Sequence, residues 1–152
     1  MCHIKSTVNM KKILTFIVVI LFFPFSLSAQ GIKNEKDLTQ FYVCYLSNIF
    51  DDNKLDSLLS EYCTKEFIVV WNEQVNEIGL YDPFTNGISD DYDLMKKTLN
   101  VRKEVNQYVV SFNYLTWPDN LTKKEDVIVH VNDKGKICRV TRPADDYSIP
   151  EN

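Results

Sequence analysis

The apolar residues of this chain change their spacing once along its length, and that switch restricts the fold more than any other feature. Leu38, Phe41, Tyr42, Tyr45, Leu46 and Ile49 recur at intervals of three and four, the stripe of an amphipathic helix starting near Asn34. Asp51, Asp52 and Asn53 break the stripe, and Leu55, Leu58, Leu59 and Tyr62 restart it as a second, shorter helix. Thr64 can cap a third helix carrying Phe67, Val70, Trp71, Val75 and Ile78, with Gly79 as its natural stop. From Leu94 onward the spacing becomes strand-like. Lys96 to Lys103 alternates loosely, and Tyr108 to Thr116 is rich in aromatic and β-branched residues. Trp117-Pro118-Asp119-Asn120 ends that strand. Val127, Val129 and Val131 alternate with Ile128 and His130, which places the valines on the core face. Asn132-Asp133-Lys134-Gly135 then forms a hairpin turn into a last strand, Ile137 to Thr141. Helices followed by antiparallel strands define an α+β domain: three N-terminal helices packed on a curved antiparallel sheet of about four strands.

A different segment precedes this domain. Lys11 and Lys12 lead into an apolar run from Ile13 to Leu27, and Ser28 and Ala29 follow as small residues before Gln30. That is the layout of a cleavable export signal over residues 1–29. The run of 15 residues falls short of the roughly 20 that a helix needs to span a bilayer. The expected location is the periplasm or the outside of a Gram-negative type cell. The expected division is a signal peptide at 1–29, one α+β domain at 33–143 and a flexible acidic tail at 144–152.

Removing residues 1–29 also changes the electrostatics. The whole chain carries 17 basic and 21 acidic residues, for a net charge of −4. Lys5, Lys11 and Lys12 leave with the signal and no acid does, so the remaining 123 residues have a net charge of −7. Such a domain repels nucleic acid and anionic membranes, and it attracts basic partners.

The residues offer little catalytic chemistry. His130 is the only histidine after the signal, placed mid-strand opposite the valine face, and no Gly-x-Ser-x-Gly elbow accompanies it. Only four glycines occur, in no phosphate-binding pattern, and no CxxC or HxxxH pair suggests zinc. No cofactor and no metal are expected. Cys44, Cys63 and Cys138 can supply one disulfide with a thiol over, or three small buried hydrophobes.

The loop from Leu80 to Asp93 is the most informative stretch. Asp82, Asn86, Gly87, Asp90 and Asp93 partly mimic a calcium loop, but Phe84 stands at a ligand position and the last position lacks the longer Glu. A capped turn held by Asp82 and Asn86 is the simpler reading. Asp90, Asp91 and Asp93 also crowd together, as paired carboxylates of a glycosidase would, though without apolar neighbours beyond Tyr92 and Ile88. Tyr108, Tyr114 and Trp117 read chiefly as core, or else as the lining of a cleft between sheet and helices. The candidate binding residues are therefore Tyr81, Asp82, Phe84, Asn86, Asp90, Asp93, Trp117 and His130.

Tyr81-Asp82-Pro83-Phe84-Thr85-Asn86, set between three helices and an antiparallel meander, resembles a family of small secreted bacterial proteins of unknown function with an Asp-Pro-Phe-x-Asn motif. The resemblance spans roughly residues 33–143. Family members continue with Ala-Gln-Asp, where this chain has Gly87-Ile88-Ser89-Asp90. The family looks like a member of the nuclear-transport-factor-2-like, or cystatin-like, superfamily. The resemblance implies a cone-shaped domain and no particular activity, since that superfold hosts isomerases, binding modules and scaffolds. Together these readings lead us to expect an exported, non-enzymatic binding or interaction domain with a protein partner, a basic one, and an immunity-type inhibitor as its concrete form. The alternative is a small ligand carrier or isomerase-like enzyme that uses the interior of the cone.

Overall fold

Each helix begins where a short polar side chain can satisfy the free N–H groups of its first turn. A computed structural model of the chain describes residues 31–78, 82–85 and 91–143. Helix α1 spans Glu35–Asn48, and Asn34 caps it by accepting from the Asp37 N–H at 3.1 Å. Asp37 reciprocates by accepting from the Lys33 N–H at 2.9 Å. Helix α2, Asp52–Tyr62, is capped by Asp51, and helix α3, Lys65–Ile78, by Thr64, whose hydroxyl accepts from the Phe67 N–H at 3.2 Å. The described part of α3 ends one residue before Gly79.

The stripes bury as their spacing requires. Leu38, Phe41, Tyr42, Tyr45 and Leu46 of α1 are all buried, as are Leu55 and Leu59 of α2 and Phe67 and Trp71 of α3. Burying side chains of this size contributes about 1.5–3 kcal/mol each. Val70 departs from expectation, because it is exposed and the partly buried Ile68 packs inward with Trp71 and Val75 instead. On a 3.6-residue period Val70 lies at the fringe of the stripe, and Ile68 lies at its other fringe.

A second departure follows the motif loop. Residues Tyr92–Thr98 form a fourth helix, α4, where the sequence suggested loop and the start of a loose strand. Asp91 caps it by accepting from the Leu94 N–H at 2.9 Å, and Met95 is buried in the core. Lys96 and Lys97 sit in its last turn, where positive charge suits the helix dipole.

Four strands complete the domain: β1 at Asn100–Lys103, β2 at Tyr108–Leu115, β3 at Thr122–Val131 and β4 at Ile137–Thr141. They form one antiparallel sheet in the order β1-β2-β3-β4. Tyr108, Val110, Phe112 and Tyr114 of β2, Val127 and Val129 of β3, and Ile137 of β4 face the helices and join the core. The sheet is not solvated at the middle of its other face. Val109 and Ile128, paired across β2 and β3, are only 4% and 6% exposed there. Burial of Ile128 as well as its valine neighbours shows that β3 is apolar on both faces at its centre.

Two contacts tie the layers together. The Thr64 N–H donates to the Ile137 carbonyl at 2.9 Å, beside a parallel bridge between Cys63 and Ile137. The Ile32 N–H donates to the Gly135 carbonyl at 2.7 Å, which holds the start of the domain against the β3–β4 turn. Gly135 has φ of 75°, and a Cβ there would lie 2.9 Å from the Gly31 backbone, so both conformation and space demand glycine.

Candidate functional site

The loop singled out by its turn chemistry is anchored from beneath by the helices. Asp82 Oδ1 accepts from the Tyr45 hydroxyl at 2.8 Å and from the Phe84 N–H at 2.9 Å. Asp82 Oδ2 accepts from the Thr85 hydroxyl at 2.9 Å, and the Thr85 N–H closes the turn onto the Asp82 carbonyl at 3.2 Å. Trp71 extends the chain of bonds, its indole N–H donating to the Tyr45 oxygen at 3.2 Å. A helix α3 ring, a helix α1 hydroxyl and a loop carboxylate are thus joined in series.

Phe84 then enters a cluster of rings. Its centroid lies 4.7 Å from that of Tyr45, 5.1 Å from Phe41, 5.5 Å from Phe67 and 5.8 Å from Tyr42. These tilted and edge-on arrangements add about 0.5–1.5 kcal/mol per pair beyond simple burial. Proline at 83 suits the turn between the acid and the ring.

Burial pushes the Asp82 carboxyl above its ordinary value, and the hydrogen bonds from Tyr45, the Phe84 N–H and Thr85 pull the other way. Tyr45 is raised by burial and by the Asp82 charge. Tyr42 is raised by burial first, then by the charges of Asp82 and Cys63, and its hydroxyl has no hydrogen-bond partner among the described residues. Burial also pushes the Cys63 thiol up to about 12, against the pull of Lys136, whose ammonium bonds the Glu61 carbonyl. A thiol held so firmly protonated is a poor nucleophile. Cys44, Cys63 and Cys138 are separate thiols in the fold, part-buried, buried and exposed respectively.

The sequence candidates fall into separate places. Asp82 and Phe84 belong to the anchored turn, while Tyr81, Asn86 and Asp90 lie outside the described residues. Asp93 stands exposed in the first turn of α4 and pairs with Lys96 at 2.9 Å, away from the bonds that Asp82 makes. The first and last acids of the calcium-like spacing therefore serve different partners. His130 sits on the sheet face opposite the core, 2.9 Å from the Arg139 guanidinium. Trp117 is 90% exposed, so it does not line a cleft with the buried Tyr108 and Tyr114. The turn that follows β2 carries it outward.

Sequence reasoning missed Tyr45, Trp71 and Thr85 as partners of Asp82. Their signal was present, since buried Tyr and Trp rings usually take a polar partner and the loop offered acids to supply one. It also missed Phe50, which is 85% exposed just past α1 and meets Tyr92 edge-on at 5.7 Å. Among the described residues, no helix is long and apolar enough to cross a membrane. Compared with known proteins, the chain matches no family model, no curated protein and no solved structure.

Proposed function

We propose that this chain is an exported, non-enzymatic binding domain whose partner is a basic protein, with an immunity-type inhibitor as the concrete form. In this reading residues 1–29 direct export to the periplasm, and the fold belongs to the cystatin-like group that its Asp-Pro-Phe motif resembles. One observation carries the non-enzymatic part. Among the described residues, Phe41, Tyr42, Tyr45, Phe84, Met95 and Phe112 pack between helices and sheet, and Asp82, bonded beside them, spends both oxygens on the fold. A general acid or base needs an oxygen within reach of substrate, and Asp82 has its oxygens engaged by Tyr45, Phe84 and Thr85. The charge of −7 after signal removal supports the basic partner. Capture from periplasm at low and at high salt tests it. A partner retained at low salt and released at high salt is the expected result, and no salt-sensitive partner counts against the reading.

A second reading, a small ligand carrier or isomerase-like enzyme, draws on the Tyr42 hydroxyl, which has no partner among the described residues and feels the Asp82 charge. Its distinguishing test is Tyr42→Phe, which on this reading abolishes ligand-induced thermal stabilisation.

A further inference from the structure

Val109 and Ile128 are buried, yet neither belongs to the cluster of residues packed between helices and sheet. They sit at the centre of the sheet's outer face. Ser111, on the same face of β2, is only 2% exposed. Thr141, paired with Ile128, buries a hydroxyl that has no partner among the described residues. A sheet face open to water leaves its central side chains part exposed and its hydroxyls hydrated, so this face is covered. All four helices send their buried residues to the opposite side. The long side chain flanking Val109, Arg102, is exposed and drawn toward Glu104 at 3.3 Å, and Arg139 is drawn to His130.

The chain outside the described residues comprises 1–30, 79–81, 86–90 and 144–152. Residues 79–81 join α3 to the Asp82 turn and residues 86–90 join that turn to α4, both on the helix side. Residues 1–29 leave with the export signal in the proposed function. Residues 144–152 start beside the covered patch, because Thr141 ends β4 opposite Ile128 and Pro143 follows two residues on. Neighbouring strands stand roughly 4.8 Å apart, which puts Val109 of β2 about 10 Å across the sheet from Thr141. The four residues from Pro143 to Tyr147 reach as far as about 14 Å when extended. Chemistry agrees with reach. The segment holds the acids Asp145, Asp146 and Glu151 and no base, and Tyr147 and Ile149 fall on one side of an extended chain. On the outer face Arg102, Lys124 and Arg139 stand against Asp126, with Glu104 leaning on Arg102 from the adjoining turn and Arg142 just past β4. Lys123 and Glu125 alternate to the other side. The face is thus basic on balance in a domain of net charge −7.

We infer that residues 144–152 fold back across the outer face of the sheet, with Tyr147 and Ile149 covering Val109 and Ile128 and with Asp145 and Asp146 toward its basic rim. The inference goes beyond the binding-domain reading and holds with or without a partner. Surface ion pairs contribute little alone, so the apolar contact carries the docking and the charges set its direction.

The test is methyl NMR on the full chain labelled at valine and isoleucine. Nuclear Overhauser contacts are expected from the Tyr147 ring to the methyls of Val109 and Ile128. In the double variant Tyr147→Ser, Ile149→Ser those contacts are lost and both methyl signals move, while the signals of Val110 and Val129 on the helix side stay in place. Absence of any contact from residues 144–152 in the unaltered chain would overturn the inference, as would unmoved Val109 and Ile128 signals in the variant. Contacts from the apolar run 13–27 instead, or from a second copy in a mixture of labelled and unlabelled chains, would overturn it too.

Discussion

Asp82 has a role that two substitutions can separate. Its Oδ1 takes the Tyr45 hydroxyl and the Phe84 N–H, and its Oδ2 takes the Thr85 hydroxyl. Asparagine can reproduce all three, with its oxygen in the place of Oδ1 and its amide donating to the Thr85 oxygen. Asp82→Asn should therefore change stability by no more than about 1 kcal/mol in urea unfolding at neutral pH. Asp82→Ala strands three donors and should cost about 2–4 kcal/mol in the same measurement. The charge has its own signature. The folded pKa of Asp82 lies above the unfolded value, so the native state binds this proton more tightly. The stability it contributes is greatest below the unfolded pKa and is lost as pH rises through the folded one. Wild type should thus gain on Asp82→Asn as pH falls from neutral toward about 4, and a gap that narrows on acidification would refute the assignment. The acid and Phe84 were legible from the sequence because turn chemistry is local. Tyr45 was legible only as a member of a helical stripe, since spacing does not say which buried ring carries a hydroxyl to a distant carboxylate.

Elements with three or more turns were readable, and the two-turn element was not. The stripes of α1, α2 and α3 each repeat often enough to separate a period of 3.6 from one of 2. α4 has seven residues, and its apolar positions Leu94 and Met95, with Leu99 at its cap, are too few to separate the two periods. The cap was the better signal: Asp91 precedes the helix and Lys96 and Lys97 end it, the charge order a helix dipole favours. That cap also has a function in the fold, because α4 carries Met95 into the core and its Thr98 hydroxyl accepts from the Asn113 N–H at 2.8 Å. Asp91→Ala should lower stability by about 1 kcal/mol, read as a drop in melting temperature with little change in overall helix signal. β3 shows a different limit. Alternation assigned Val127 and Val129 correctly to the core, but it could not report that Ile128 is buried on the opposite face, since burial there depends on what lies across the sheet.

At the scale of the whole molecule, the question is whether the space between helices and sheet serves stability or a ligand. Helices before strands, the antiparallel meander and the order of both were contained in the periodicity, but the filling of the interior was not. That filling depends on where Phe84 goes, and Asp82, bonded by Tyr45 of α1 that Trp71 of α3 bonds in turn, holds the turn from which Phe84 enters. Tyr42 makes the question measurable. It is a wholly buried ring on α1, in edge-on contact with Phe84, and its hydroxyl lacks a partner among the described residues. If the interior is simply packed, that hydroxyl is a desolvated group with nothing to offset its cost, and Tyr42→Phe should stabilise the fold by about 1 kcal/mol. If the hydroxyl instead points to a ligand bound beside Asp82, the variant should keep its stability when purified free of ligand and lose ligand-induced thermal stabilisation. The two readings thus differ in whether Tyr42→Phe stabilises the ligand-free fold and in its response to added ligand. If the interior proves packed, the outer surface is what remains to recognise another molecule, which is the condition the proposed basic partner requires.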